Sequence, residues 1–143
     1  MLGFRWVGAG SALRFLRHGW QSWSFCAGRA LDDAGEPPFP SGPWLRGMHH
    51  GLGSVPADRA GWHESDLVSV AAGARGACLA GLLERGHGTG VVYLRRHGED
   101  VQIEVETHLE IPLEPGARLE LERVRVALAE GAAKTVEEVG VLQ

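Results

Sequence analysis

The clearest pattern along the chain is an alternation of apolar and polar residues in its second half. Between residues 101 and 111, aliphatic side chains fall on one face of an extended chain, and the other face carries Glu104, Glu106, His108 and Glu110. Successive side chains of a strand point to opposite faces, so the segment predicts an antiparallel strand with one buried and one solvated face. We expect the carboxylates to serve solvation rather than catalysis.

Three more segments have the length and composition of strands: residues 65–71, 77–84 and 89–96. The last two are joined by the glycine-rich residues 85–88, which are typical of a hairpin connection. Together these segments predict an all-β fold, an antiparallel β-sandwich.

The strand expected after the turn at residues 112–116 changes phase. Leu119 and Leu121 share one parity, whereas Val124 and Val126 have the other. One extra residue in a strand restores the inward face after such a change, so the pattern predicts a β-bulge at residues 122–123.

The C-terminus carries a helix-start signal. Thr135 and Glu138 have the spacing of a capping box, in which a threonine caps the first turn and a glutamate follows three residues later. Few residues follow, so we expect a truncated linker helix. The predicted division is a β-sandwich over residues 1–130 and the start of a linker helix over residues 131–143.

Composition excludes several function classes. The 143 residues fit one domain, and the net charge of -4 without a basic block argues against a nucleic-acid partner. The chain has no export signal and no apolar run long enough to span a bilayer. Cys26 and Cys78 do not make a disulfide framework, which favours free thiols. We therefore expect a cytoplasmic protein without a membrane partner.

The chain offers no convincing metal site or catalytic constellation. His49, His50, His63 and Glu64 were the best metal candidates, but they lack the ligand spacing of known zinc motifs. No nucleophile elbow or phosphate-binding loop is present. We expect no metal, no cofactor and no catalytic residue within this chain.

The pair Trp20 and Trp23 is the strongest functional signal. In a strand these residues would face opposite sides, so one indole could enter a core while the other projects outward. A projecting indole is typical of a site where a sugar ring or a partner surface packs on it. Burial of both rings remains the alternative interpretation.

Residues 16–24, LRHGWQSWS, resemble the NGWQSWS segment in the N-terminal domain of family 36 glycoside hydrolases, the α-galactosidases. Residues 63–66, 79–83 and 113–122 are similar to later segments of that domain, and residues 135–140 are similar to its linker. The resemblance implies a supersandwich-like N-terminal domain, followed in the family by a catalytic (β/α)8 barrel.

The resemblance also implies that catalysis belongs to the barrel and that this chain contributes contacts to the sugar site. The family retains anomeric configuration on terminal α-galactosides, and its two catalytic aspartates lie on the barrel, outside this chain. Trp23 would wall the mouth of the sugar site, Trp20 would pack beneath it, and Gln21 and Ser22 would fix the segment by hydrogen bonds. His18 stands where the family usually has asparagine.

Three hypotheses follow. The first is a non-catalytic accessory domain whose partners are the catalytic barrel and the α-galactoside. The second is a free-standing carbohydrate-binding module. The third is an oligomerisation module that pairs with a second copy. Few residues precede the motif, so we also expect a partial sandwich with an exposed sheet edge.

Overall fold

Strands are the regular elements of the part of the chain that the structure describes. A computed structural model describes residues 1–18, 26–33, 61–83, 88–109, 111–129 and 136–141. The strands are β1 (Leu2–Trp6), β2 (Arg14–Arg17), β3 (Ala27–Ala30), β4 (Trp62–Asp66), β5 (Val68–Gly73), β6 (Gly76–Leu82), β7 (Gly88–His97), β8 (Asp100–Leu109), β9 (Val124–Leu128) and β10 (Val136–Val141). Within these ranges there is no helix that could cross a lipid bilayer.

The described strands form two five-stranded antiparallel sheets. The order is β10-β1-β8-β7-β4 in the first sheet and β3-β2-β5-β6-β9 in the second. Side chains of both sheets meet in one hydrophobic core, which includes Trp6, Leu94, Ile103, Phe15 and Cys78. This arrangement confirms the predicted all-β antiparallel sandwich.

The alternation on β8 has the predicted effect. Val101, Ile103 and Val105 are buried in the core, while Gln102 and Glu104 between them are partly exposed. On one side β8 pairs with β7, and on the other it pairs with β1. The sequence analysis did not predict β1, whose last residue, Trp6, is fully buried.

The predicted strand over residues 65–71 is in fact two strands in different sheets. Leu67 interrupts it with φ +57°, a left-handed conformation that is uncommon for a residue with a side chain. Its N–H donates to the carbonyl of Gly90 in the first sheet, and its carbonyl accepts from the N–H of Leu82 in the second. Leu67 is therefore the corner at which the chain passes between the sheets.

The hairpin predicted at residues 85–88 is wrong. These residues lie largely outside the described ranges, but the strands they join, β6 and β7, belong to different sheets. The hairpins observed are β5–β6 and β7–β8. In the β7–β8 turn, Gly98 has φ +62°, as the first residue of a type II′ turn requires.

The helix predicted from Thr135 is also wrong for residues 136–141, which form β10. This strand pairs with β1, with an irregularity at Gly3/Phe4. So short a segment cannot sustain a helix alone. The edge of β1, by contrast, offers it a full set of hydrogen-bond partners.

The predicted bulge at residues 122–123 does not occur because the strand starts later than expected. β9 begins at Val124, and Leu121 is exposed. The change of phase marks the entry of the chain into the sheet.

Candidate functional site

Residues 19–25, which hold the tryptophan motif, connect two paired strands. β2 and β3 are antiparallel neighbours, and Arg17 is opposite Ala27. Both ends of the connection therefore lie at the same end of the second sheet. Trp20, Gln21, Ser22 and Trp23 lie outside the described residues, and their predicted roles stay predictions. His18, at the entrance to the motif, is described.

His18 is held by the β4–β5 corner through its backbone and its ring. Its N–H donates to Oγ of Ser65 at 2.7 Å, and its carbonyl accepts from the N–H of Asp66 at 2.8 Å. The ring Nδ1 donates to the carbonyl of Asp66 at 3.1 Å and lies 3.7 Å from the Asp66 carboxylate. Because a carbonyl only accepts, Nδ1 carries a proton, and in the neutral form of the ring Nε2 would be the acceptor.

Serine side chains replace main-chain pairing where β2 leaves its neighbour. β2 pairs with β5 only through Arg14 and Phe15. Beyond that point, Oγ of Ser69 donates to the carbonyl of Leu16 at 2.8 Å. Oγ of Ser65 accepts from His18 and donates to the carbonyl of Val68 at 2.6 Å. The two hydroxyls thus hold the chain just before the motif.

Charged groups are also buried beside the hydrogen bonds that hold His18. A guanidinium nitrogen of Arg17 lies 3.8 Å from a carboxylate oxygen of Glu64, and both side chains are about 95% buried. His63 is fully buried, stacks on Phe15 with ring centroids 4.3 Å apart, and donates from Nε2 to the carbonyl of Leu31. The predicted metal candidates His63 and Glu64 are therefore engaged in holding β2 and β4 together.

Sequence reasoning missed Ser65, Asp66 and Ser69 as members of this polar cluster. Residues 63–66 are four polar residues in succession within a strand, all buried. An unbroken run of polar residues is normally exposed, so the sequence carried no signal that this strand is buried. We call Arg17, His18, Glu64, Ser65, Asp66 and Ser69 the anchor cluster.

The anchor cluster lies at the end of the sandwich where apolar side chains are exposed. The large exposed hydrophobic residues of the described ranges are Leu16, Leu83, Ile111, Leu113 and Leu121. Leu16 lies on β2, and the other four follow or precede strands whose ends meet at this end of the sandwich, as the registers of β6 with β9 and of β7 with β8 show.

Among the described residues, no group of three or more histidine, cysteine, aspartate or glutamate side chains is arranged to hold a metal ion. Comparison with known proteins finds no matching family model, no matching curated protein and no matching solved structure. The function must therefore be argued from the residues and their geometry.

Proposed function

We propose that this chain is the N-terminal accessory β-sandwich of a retaining α-galactosidase-like glycoside hydrolase, and that it is non-catalytic by itself. In this proposal the GWQSW segment contributes Trp23 to a sugar site that a catalytic barrel completes. The proposal rests on the resemblance of residues 16–24 to the family 36 motif and on the position of that segment in an antiparallel sandwich.

The observation that carries the proposal is the anchoring of His18 at the entrance to the motif. An indole that stacks on a sugar gains affinity when its backbone is already ordered, because less conformational entropy is lost on binding. The three hydrogen bonds from His18 to Ser65 and Asp66 supply a fixed base at that point.

His18 can also take over part of the role of the family's asparagine. With Nδ1 committed to Asp66, the neutral form of the ring would present Nε2 as an acceptor. The side chain is 42% exposed, so a ligand can reach it. A sugar hydroxyl that donates to Nε2 would replace a hydroxyl bonded to an amide oxygen.

Catalysis is assigned to the barrel because retention needs two carboxyl groups about 5–5.5 Å apart, one as nucleophile and one as acid and base. Asp66 and Glu64 are buried carboxylates within this chain, but they face residues that they help to hold, His18 just after β2 and Arg17 on β2. Their position supports an anchoring role.

The test is a fusion of residues 1–143 to the catalytic barrel of a family 36 α-galactosidase whose own sandwich has been removed. We expect the fusion to hydrolyse nitrophenyl α-galactoside faster than the bare barrel, while the isolated chain shows no turnover. Trp23→Ala in the fusion should raise KM about tenfold, or roughly 1.4 kcal/mol. Trp62→Phe, at the far end of β4, is the matched control and should leave KM unchanged.

Either of two results would reject the proposal: a folded fusion no more active than the bare barrel, or turnover by the repurified isolated chain. Titration of the isolated chain with melibiose, monitored by tryptophan fluorescence, tests the alternative that the chain is a free-standing carbohydrate-binding module. Saturable quenching that Trp23→Ala abolishes would favour a free-standing module.

A further inference from the structure

The free edge of β9 has open main-chain groups in the part of the sandwich that the structure describes. β9 is the last strand of the second sheet. Leu83 donates its N–H to the carbonyl of Arg123, and Ala129 donates to the carbonyl of Ala77, so the odd-numbered residues bond to β6. The N–H and C=O groups of Val124, Val126 and Leu128 therefore point away from the sheet, because these directions alternate along an antiparallel strand.

Main-chain groups at the outer edges of β3 and β4 have partners within the protein. On β3, a guanidinium nitrogen of Arg14 donates to the outward carbonyl of Gly28, and the N–H of Ala30 donates to Asp33. On β4, the N–H of Asp66 donates to His18. No corresponding bond reaches the outward groups of β9 from the described residues.

The side chains of β9 are likewise incompletely covered. Val124, Val126 and Leu128 pack against the hydrophobic core but are only partly buried. An edge strand of β-branched and aliphatic residues with open main-chain groups is a template for another strand. A strand added here would satisfy the outward groups and bury these side chains further.

We propose that β9 pairs antiparallel with β9 of a second copy of this chain, joining the two second sheets into one continuous sheet. The pairing is centred on Val126, so that Val124 of one copy is opposite Leu128 of the other. Among the possible registers, this one pairs all three outward residues. Self-pairing uses the same edge on both copies, so the assembly closes as a dimer.

Charge favours the same register. Arg125 and Arg123 are exposed and lie on the outer face of β9. With Val126 at the centre, Arg125 is opposite Ala127 of the other copy, and Arg123 is opposite Ala129. Shifting the centre to Arg125 would place two arginines directly opposite, and like charges in that position are destabilising.

Substitutions at Ala127 test this register with opposite expected signs. Ala127→Glu places a carboxylate opposite Arg125 of the other copy and should lower the dimer Kd about threefold to tenfold. Ala127→Arg places like charges opposite each other and should raise Kd about tenfold. The difference between them should shrink in high salt. Sedimentation velocity of the full chain over a range of concentrations measures Kd.

Val126→Pro removes an N–H that points outward and leaves the β6–β9 ladder intact, a position where edge strands tolerate proline. We expect this variant to stay monomeric while its circular dichroism matches the parent.

The proposal is overturned if the parent remains a monomer up to about 0.5 mM, a concentration at which weak dimers are populated. It is also overturned if oligomers grow beyond the dimer, or if both Ala127 variants change Kd in the same direction or not at all.

Discussion

Single buried polar side chains determine how the motif is held. Ser65 is 2% exposed and its hydroxyl bridges two backbone groups, the N–H of His18 and the carbonyl of Val68. Hydroxyls of this kind contribute little net energy when paired. Their loss is costly because the buried groups they served remain without partners.

We expect Ser65→Ala to lower the free energy of unfolding by about 1 kcal/mol, since it leaves a partly buried donor and a partly buried acceptor unsatisfied. Ser11→Ala is the matched control, because Ser11 is exposed, and it should change stability by less than about 0.5 kcal/mol. Urea unfolding followed by fluorescence measures both. A Ser65→Ala variant as stable as its control would show that the bridge adds nothing.

Cys78 gives a prediction on pH dependence. Burial raises the pKa of its thiol from 9.0 to about 11. Between these values the unfolded chain loses the thiol proton while the folded protein keeps it, so stability falls as pH rises through this window. Below pH 9.0 both states keep the proton and the effect vanishes.

The stability difference between the parent and Cys78→Ala should therefore shrink as pH rises from 9 towards 11. Urea unfolding at several pH values measures this difference. Cys26→Ala is the control, because Cys26 is exposed and its removal should leave the pH dependence of the parent unchanged. A difference for Cys78→Ala that stays constant with pH would contradict the argument.

At the scale of elements, Leu67 divides the stretch predicted as one strand into two strands. Its backbone joins β7 to β6 through hydrogen bonds of 3.0 and 2.8 Å. The left-handed conformation costs a residue with a Cβ roughly 1–2 kcal/mol, and glycine avoids this cost. Hydrogen bonds from Leu67 to both sheets keep it in this strained conformation, next to the anchor cluster.

We expect Leu67→Gly to be more stable than Leu67→Ala by about 1 kcal/mol, because both lose the same packing and only glycine tolerates the conformation. At Val70, in the middle of β5, the order should reverse and Val70→Ala should be the more stable by about 0.5–1 kcal/mol. Thermal unfolding of the four variants checks the two orders. The same order at both positions would mean that Leu67 is not strained.

The Leu67 corner also shows which features of the fold could not be predicted from the sequence. The alternation of residues 101–109 predicts a strand well because one face is buried and the other is not. Nothing in the pattern of residues 65–71 reveals a positive φ, and the capping box at Thr135 competes with the edge of β1, which lies far away along the chain. The anchor cluster was not predicted because polar residues are normally exposed. Its side chains are buried by contacts made in the folded protein, such as those of β2 with β4.

At the scale of the whole molecule, the two sheets approach closely at Gly90. This residue lies on β7 in the first sheet, and a Cβ placed there would contact the side chain of Leu82 on β6 in the second sheet. Gly90 is adjacent to the Leu67 corner, with which it shares a hydrogen bond. The spacing between the sheets at the motif end therefore depends on a small residue facing a large one.

This complementarity predicts coupling between the two positions. Gly90→Ala overpacks the core and should cost about 1–3 kcal/mol, and Leu82→Ala should cost about 2 kcal/mol through the lost packing. In the double variant the new methyl occupies space that the leucine has vacated, so the combined loss should fall short of the sum by about 1 kcal/mol. Leu79 points to the outer face of β6, so Gly90→Ala with Leu79→Ala should be additive within about 0.5 kcal/mol. Urea unfolding of both cycles measures the coupling, and an additive Gly90–Leu82 pair would show that the sheets adjust their separation freely at this end.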